Sequence, residues 1–418
     1  MRIAIQSILL AAAFLSGIAA CTRPSPQSAA TPADTVTGSQ LWVLPAGNGA
    51  GQPDLSLAPD GRILMSWLES RPDQRTRLQL AEFDRNGHWQ ATRTVAVGAS
   101  FVTHAADTPH VLATADNTLW VHWLQKAAQG HGYHVLLSNS RDGGMHWAPP
   151  VRVHADASPA EHGFVSLWPH SANQLGVAWL DGSAAAPEGA ATPVTAVRSA
   201  VFDTGLHSPG EQTVAPIACD CCSTAAALTS KGVVLAFRGR TADDIRDIQV
   251  TRFDGTAWAA PTPVQADGWH MTACPVNGPA LAASRDSVLA GWYTAADGAG
   301  AVRLARSRDA GTTFDPPVTV DVGDAVLGRV QVAVDHANAW LLWLREDRQA
   351  QTLWLARYSP DLAQQREKRE IARLRGRGLA TGLPQLLLRD GVAHIVWTDV
   401  GDDGASTRLH GLRYRPAD

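Results

Sequence analysis

Seven times along this chain a short apolar run ends near a large aromatic side chain and then turns polar. The seven segments read ILMSWLES, LWVHWLQK, LGVAWLDG, VVLAFRGR, VLAGWYTA, AWLLWLRE and AHIVWTDV. Their landmarks are Trp67, Trp123, Trp179, Phe237, Trp292, Trp343 and Trp397, which by subtraction stand 51 to 58 residues apart. Each interval keeps one order: an apolar stretch, the landmark strand, a second alternating strand, a turn, and a short strand such as PPVRV or PPVTV. Four short strands in a repeat of this length predict the blades of an all-β propeller, seven by landmark count, with a six-bladed ring as the alternative. Helical periodicity is nearly absent. Only PDLAQQREKREIARLR invites a helix, and it reads as a hairpin turn running into a strand. The last repeat supplies three strands before the chain ends, so QLWVLPAG, Gln40 to Gly47, is expected to add the missing outer strand and close the ring.

The pattern breaks down ahead of residue 40. Residues 1–20 carry Arg2, a mostly apolar run and small residues at the junction, which is the form of an export signal. Ile18-Ala19-Ala20-Cys21 resembles the lipobox of bacterial lipoproteins, which implies lipidation of Cys21 and a membrane held through acyl chains. An ordinary secretory peptide is the alternative. By resemblance to sorting rules, Thr22 in place of Asp directs the chain to the outer membrane, within the cell envelope. Residues 21–39 are Pro, Ser, Thr and Ala with little apolar bulk, which reads as a flexible linker, leaving 40–418 for the propeller. No later segment is apolar for long enough to span a bilayer. The net charge of −4, with both signs mixed, lacks the basic footprint of a nucleic-acid binder.

Two turns carry the most specific motif. Ser140-Arg-Asp142-Gly-Gly144-Met-His-Trp147 and Ser307-Arg-Asp309-Ala-Gly311-Thr-Thr-Phe314 both fit Ser-x-Asp-x-Gly-x-x-aromatic, with weaker echoes at Asp84 to Trp89 and Asp254 to Trp258. The Asp carboxylate is suited to accept turn N–H groups, Gly allows positive φ, and the aromatic residue pins the hairpin. These turns resemble the Asp-box, or BNR repeat, of the sialidase superfamily, and the chain looks like bacterial sialidase-like lipoproteins in which CDCC and CPVNGP occur together. The resemblance implies a propeller with the boxes as structural marks. Sialidase chemistry also needs a first-blade Arg motif and a Tyr–Glu pair. Here the first inner strand, GQPDLSLAPDG, has no arginine, and none of the four tyrosines sits in such a motif.

In a propeller the loops leading into the innermost strands share one face with the loops leaving the second strands, around the central channel. Sorted by phase, that face receives Arg238, Arg240, Arg246, Asp247, His270 and Arg329 as candidate ligand-binding residues, since Arg grips carboxylate or phosphate bidentately. It also receives the cysteines of IACDCC and HMTACPVNGP: Cys219, Cys221, Cys222 and Cys274. In an oxidising compartment four thiols make two disulfides most simply, with Cys274 expected to pair with Cys221 or Cys222. Thiol exchange through the CxxC spacing is one alternative. A soft metal is the other: copper(I), or zinc(II) with fewer sulfurs, with His270 and Met271 nearby. No cofactor follows from the sequence beyond that. The reading is a tethered propeller binding a glycan, a small anion or a protein on its channel face; the alternative is a glycoside hydrolase acting on an acidic sugar.

Overall fold

The computed structural model describes residues 38–156, 158–183, 194–401 and 403–417. The signal peptide, Cys21 and all of the linker except Gly38 and Ser39 lie outside the described residues. Seven antiparallel four-stranded sheets follow one another along the chain. Blades 1 to 6 cover residues 50–98, 111–152, 162–218, 225–263, 280–322 and 326–374. Blade 7 combines three strands of 385–415 with the N-terminal strand Gly38–Leu41. That closing strand pairs Gly38 with Arg415 and Leu41 with Leu412, and Trp42 N donates to Gly411 O at 2.9 Å. Pairing thus begins two residues earlier than expected and ends at Leu41, with Val43 outside it and exposed. The segment read as a turn and strand is indeed strand Gln365–Leu374. Among the described residues no helix is long and apolar enough to cross a membrane.

The landmarks all fall on the second strand of a blade, and their period-2 alternation explains the continuous apolar runs. In blade 6, Leu341 and Trp343 pack towards blade 5, while Trp340, Leu342 and Leu344 pack towards blade 7. In blade 4, Val233, Leu235 and Phe237 face blade 3, and Val234 and Ala236 face blade 5. A strand covered on both faces has no solvent side, so it loses its polar positions. Trp67, Trp179, Trp292 and Trp343 are almost fully buried in these seams.

Hydrogen bonds between neighbouring blades hold the rim of the channel. The innermost strands of blades 1, 3 and 6 bulge at Gln52, Phe164 and Arg329, each with φ of 53° and each following a glycine. Gln52 Nε2 reaches the loop before blade 2 at His104 O (2.6 Å) and Asp107 O (3.0 Å). Asp107 in turn accepts from Phe164 N of blade 3 at 2.7 Å. Gly163 allows this approach, because a Cβ there would lie 2.2 Å from Asp107 Oδ2. Arg329 is drawn into the same rim: its Nη1 donates to Gly378 O (2.8 Å), Thr381 Oγ1 (3.1 Å) and Gly382 O (3.1 Å) of the loop before blade 7.

Both Ser-x-Asp turns join third to fourth strands, on the face opposite the channel loops. Ser140 Oγ donates to Asp142 Oδ1 at 2.8 Å, and Asp142 Oδ1 accepts from Met145 N and His146 N. Ser307, Asp309, Thr312 and Thr313 repeat these contacts. Asp84, Asp203 and Asp254 each accept two turn N–H groups in the same way, without the serine.

Candidate functional site

The loops before blades 4 and 5 meet the loop between the second and third strands of blade 4. Cys219 N donates to Arg238 O at 2.9 Å, fixing the cysteine loop to the end of strand Gly232–Arg238. Arg238 is buried, and its three nitrogens donate to Asn277 O (2.9 Å), Arg246 O (2.6 Å) and Tyr293 O (2.8 Å), under the ring of Trp269. Asp247 accepts from Gly268 N and Trp269 N at 3.0 Å each, which ties down the loop that carries Cys274. Arg238 and Asp247 therefore build the floor of the site.

Above that floor lie three sulfurs. Cys219 Sγ is 3.4 Å from Cys222 Sγ and 3.7 Å from Cys221 Sγ, and all three lie within 4.8 Å of one another. The buried guanidinium of Arg246 donates from Nη1 to Cys219 Sγ at 3.1 Å and from Nη2 to Asp244 Oδ1 at 3.4 Å. Hydrogen bonding with Cys221 and Cys222, joined by the charge of Arg246, holds the Cys219 thiol far below its ordinary range. Those same bonds push Cys221 up; burial, more than its bond to Cys219, raises Cys222. The cluster thus sets three sulfurs in mutual contact beside one buried guanidinium.

Cys274 does reach the cluster, since its sulfur, that of Cys221 and an oxygen of Asp220 lie within 4.8 Å of one another. The disulfide expected between Cys274 and Cys221 or Cys222 is not formed, however. Cys219, Cys221, Cys222 and Cys274 are all free, and the 3.4 Å between Cys219 and Cys222 is well beyond a bond of about 2.05 Å. Cys274 instead donates towards Asp220 Oδ1 at 3.6 Å. Arg240 turns to Asp244 at 2.8 Å. His270 is exposed and bridges Ile245 through its backbone, outside the group of sulfurs. Arg329 belongs to the rim between blades 6 and 7. The structure therefore gathers Cys219, Cys221, Cys222 and Arg246, and leaves His270 and Arg329 apart.

A second polar group went unrecognised in the sequence. The axial channel, about 410 Å³ and lined by the innermost strands of all seven blades, contains Asp54, Asp107 and His110. His110 Nδ1 lies 2.9 Å from Asp54 Oδ1, whose other oxygen accepts from Val111 N at 3.0 Å. Burial raises the Asp107 carboxyl to about 7, against the opposing N–H of Phe164 and the charge of His110. The available signal was an aspartate close to a proline in or just before two inner strands, Pro53-Asp54 and Asp107-Thr108-Pro109-His110.

No family model matches this chain, and no curated protein does. Among solved structures it is similar to the polysaccharide lyase Uly1, at 10% identity and TM-score 0.50 over 88% of this chain and 90% of that one. It is similar to the phage phi92 endosialidase, also at 10% identity and TM-score 0.50, over 89% and 68% of the two chains. The Hadza microbial sialidase Hz136 aligns at 16% identity and TM-score 0.40, and this chain covers 63% of its length. At these identities the first two likenesses bear on the fold alone, and the seven blades are counted from this chain's own sheets.

Proposed function

We propose that this chain is a lipid-anchored, extracytoplasmic propeller whose channel face binds copper(I) through Cys219, Cys221 and Cys222. The observation that carries the reading is the spacing of three unlinked sulfurs at 3.4 and 3.7 Å, with Arg246 donating to one of them. Three thiolates about 2.3 Å from one ion lie roughly 4 Å apart, so small shifts would close the shell. Soft thiolates favour copper(I), and zinc prefers a fourth ligand. The fourth cysteine groups with Asp220 and Cys221 instead. A copper(I) trithiolate carries two negative charges, which the buried Arg246 and Arg238 offset.

The hydrolase alternative draws on Asp107 and the Asp54–His110 pair in the channel. It lacks an anion clamp built from the expected arginines, because Arg238 and Arg329 are committed to backbone carbonyls. Copper analysis and intact mass of the purified chain, with and without reductant, separate the thiol readings. The expected result is one tightly held copper(I) per chain, lost in Cys219→Ser and Cys222→Ser. A mass gain on reduction, with no copper bound before or after, would make the cluster a staple.

A further inference from the structure

A second group of potential ligands lies on the same face, between blades 2 and 3, and shares no residue with the thiol site. His134 stands at the start of the third strand of blade 2, Tyr133–Ser140, and His154 follows its outer strand, Val151–Arg152. His162 opens the innermost strand of blade 3, His162–Ser171. One ring nitrogen from each of the three lies within 4.8 Å of the others. His154 and His162 are 3% and 0% exposed, so this is an interior cluster.

Backbone carbonyls fix which nitrogens are free. His154 Nδ1 faces Asp156 O at 2.8 Å and His162 Nδ1 faces Tyr133 O at 3.2 Å. A carbonyl oxygen only accepts, so in both rings Nδ1 carries the proton and donates it. In a neutral ring Nε2 is then a lone pair. This is how metal-ligating histidines are usually oriented, with the far N–H held by a carbonyl.

The inward atoms are His134 Nδ1, His154 Nε2 and His162 Nε2, all enclosed and none making a hydrogen bond. Asp181, at the end of strand Gln174–Asp181, places Oδ1 3.3 Å from His162 Nε2. Its carboxylate is held in place by Arg198 Nε at 2.7 Å and Ser183 N at 2.8 Å. An ion pair between a charged His162 and Asp181 would answer one of the three nitrogens. His134 Nδ1 and His154 Nε2 would remain buried without partners, which is unfavourable. A cation answers all three.

We propose that His134, His154 and His162, with the carboxylate of Asp181, bind one divalent transition-metal ion of borderline softness, Zn²⁺ or Cu²⁺. Imidazole suits both ions, and three nitrogens with one oxygen fill a four-coordinate shell. The rings of His154 and His162 lie parallel, 3.7 Å apart, and splay as the ion enters so that their lone pairs converge. The ion ties the third and fourth strands of blade 2 to the first strand of blade 3.

Co²⁺ titration of the purified full-length chain reads this site separately from the thiols, because only thiolate ligation gives an intense near-ultraviolet charge-transfer band. The expected result is one equivalent of Co²⁺ with visible bands and no thiolate band, displaced in separate titrations by one equivalent of Zn²⁺ or Cu²⁺. Zn²⁺ should also raise the melting temperature, since it binds the folded chain. His154→Ala, and independently the less buried His134→Ala, should weaken Zn²⁺ binding about 100-fold while the chelator-treated variants still melt cooperatively. Co²⁺ uptake only with a thiolate band, or unchanged Zn²⁺ affinity in either folded variant, would overturn the site.

Discussion

Cys219 acquires its chemistry from residues that the sequence does not place beside it. Arg246, which donates to its sulfur, is 27 positions away and arrives on a different loop of blade 4. The cysteine cluster and the arginine-rich segment were each visible in the sequence, and phase alone put them on one face. What phase could not give is that Arg238 and Asp247 turn inward to backbone groups, leaving Arg246 for the sulfur. The histidine cluster gave no such signal for a related reason: His134 sits on a third strand, His154 follows an outer strand and His162 opens an inner one, so no single repeat phase groups them. Asp107 carries a prediction at this scale. Its folded pKa, about 7, lies above the 3.8 of an ordinary aspartate, so the fold binds this proton more tightly than the unfolded chain does. The stability contributed by this group is full below 3.8 and declines as pH rises to and through about 7. Asp107→Asn keeps an acceptor for Phe164 N and removes that dependence. Urea titrations at several pH values should show wild type losing stability relative to the variant from about pH 4 to pH 8. A constant difference would mean that the carboxylate is already ionised in the fold.

At the scale of the element, legibility follows how local the determining contacts are. The Ser-x-Asp hairpins depend on atoms within five residues, so their sequence specifies them almost completely. Even so, Ser359-Pro-Asp361 makes a related turn, with Ser359 Oγ donating to Asp361 Oδ1 at 2.5 Å and Leu362 at φ 61°, and lacks the glycine that marked the others. The closing strand was placed too late because Trp42, Val43 and Leu44 drew attention to themselves. Trp42 is buried through its own packing, while Leu41 and Val43 point outward. For the hairpin of blade 5, Asp309→Ala should cost about 1 kcal/mol, the usual loss for a capping side chain. Burial raises the Asp309 carboxyl, but donation from Thr313 and Ser307 and from Thr312 N outweighs it and holds the group down at about 2. The turn's contribution is therefore complete above 3.8 and fades as pH falls towards 2. Denaturant titration at neutral pH checks the size. Copper binding should be unaffected, because the hairpin lies on the opposite face.

For the whole molecule, the blade count was legible because each blade buries both faces against its neighbours, and that requirement repeats in the sequence. The contents of the channel were not, because they depend on bulges that tilt single side chains across blade boundaries. Closure of the ring rests on one seam assembled from both ends of the described chain. Trp42 is 3% exposed and packs in one cluster with Ile63 and Phe83 of blade 1 and Val396 and Leu409 of blade 7. Its ring lies 5.2 Å from Phe83 and stacks on Trp89 at 5.0 Å. Trp89 Nε1 in turn donates to Val43 O at 2.9 Å, so the clasp is fastened from blade 1 as well. Trp42→Ala empties the centre of this contact and should cost about 3 kcal/mol, the lower end for a buried tryptophan. Because every blade leans on two others, loosening one seam should lower the midpoint of a single urea transition without splitting it. The thiol and imidazole clusters lie in blades 2 to 5, so their metal binding should persist in the folded variant. A loss below about 1 kcal/mol would show that the seam collapses onto the space left by the ring, and that backbone pairing of Gly38–Leu41 alone closes the propeller.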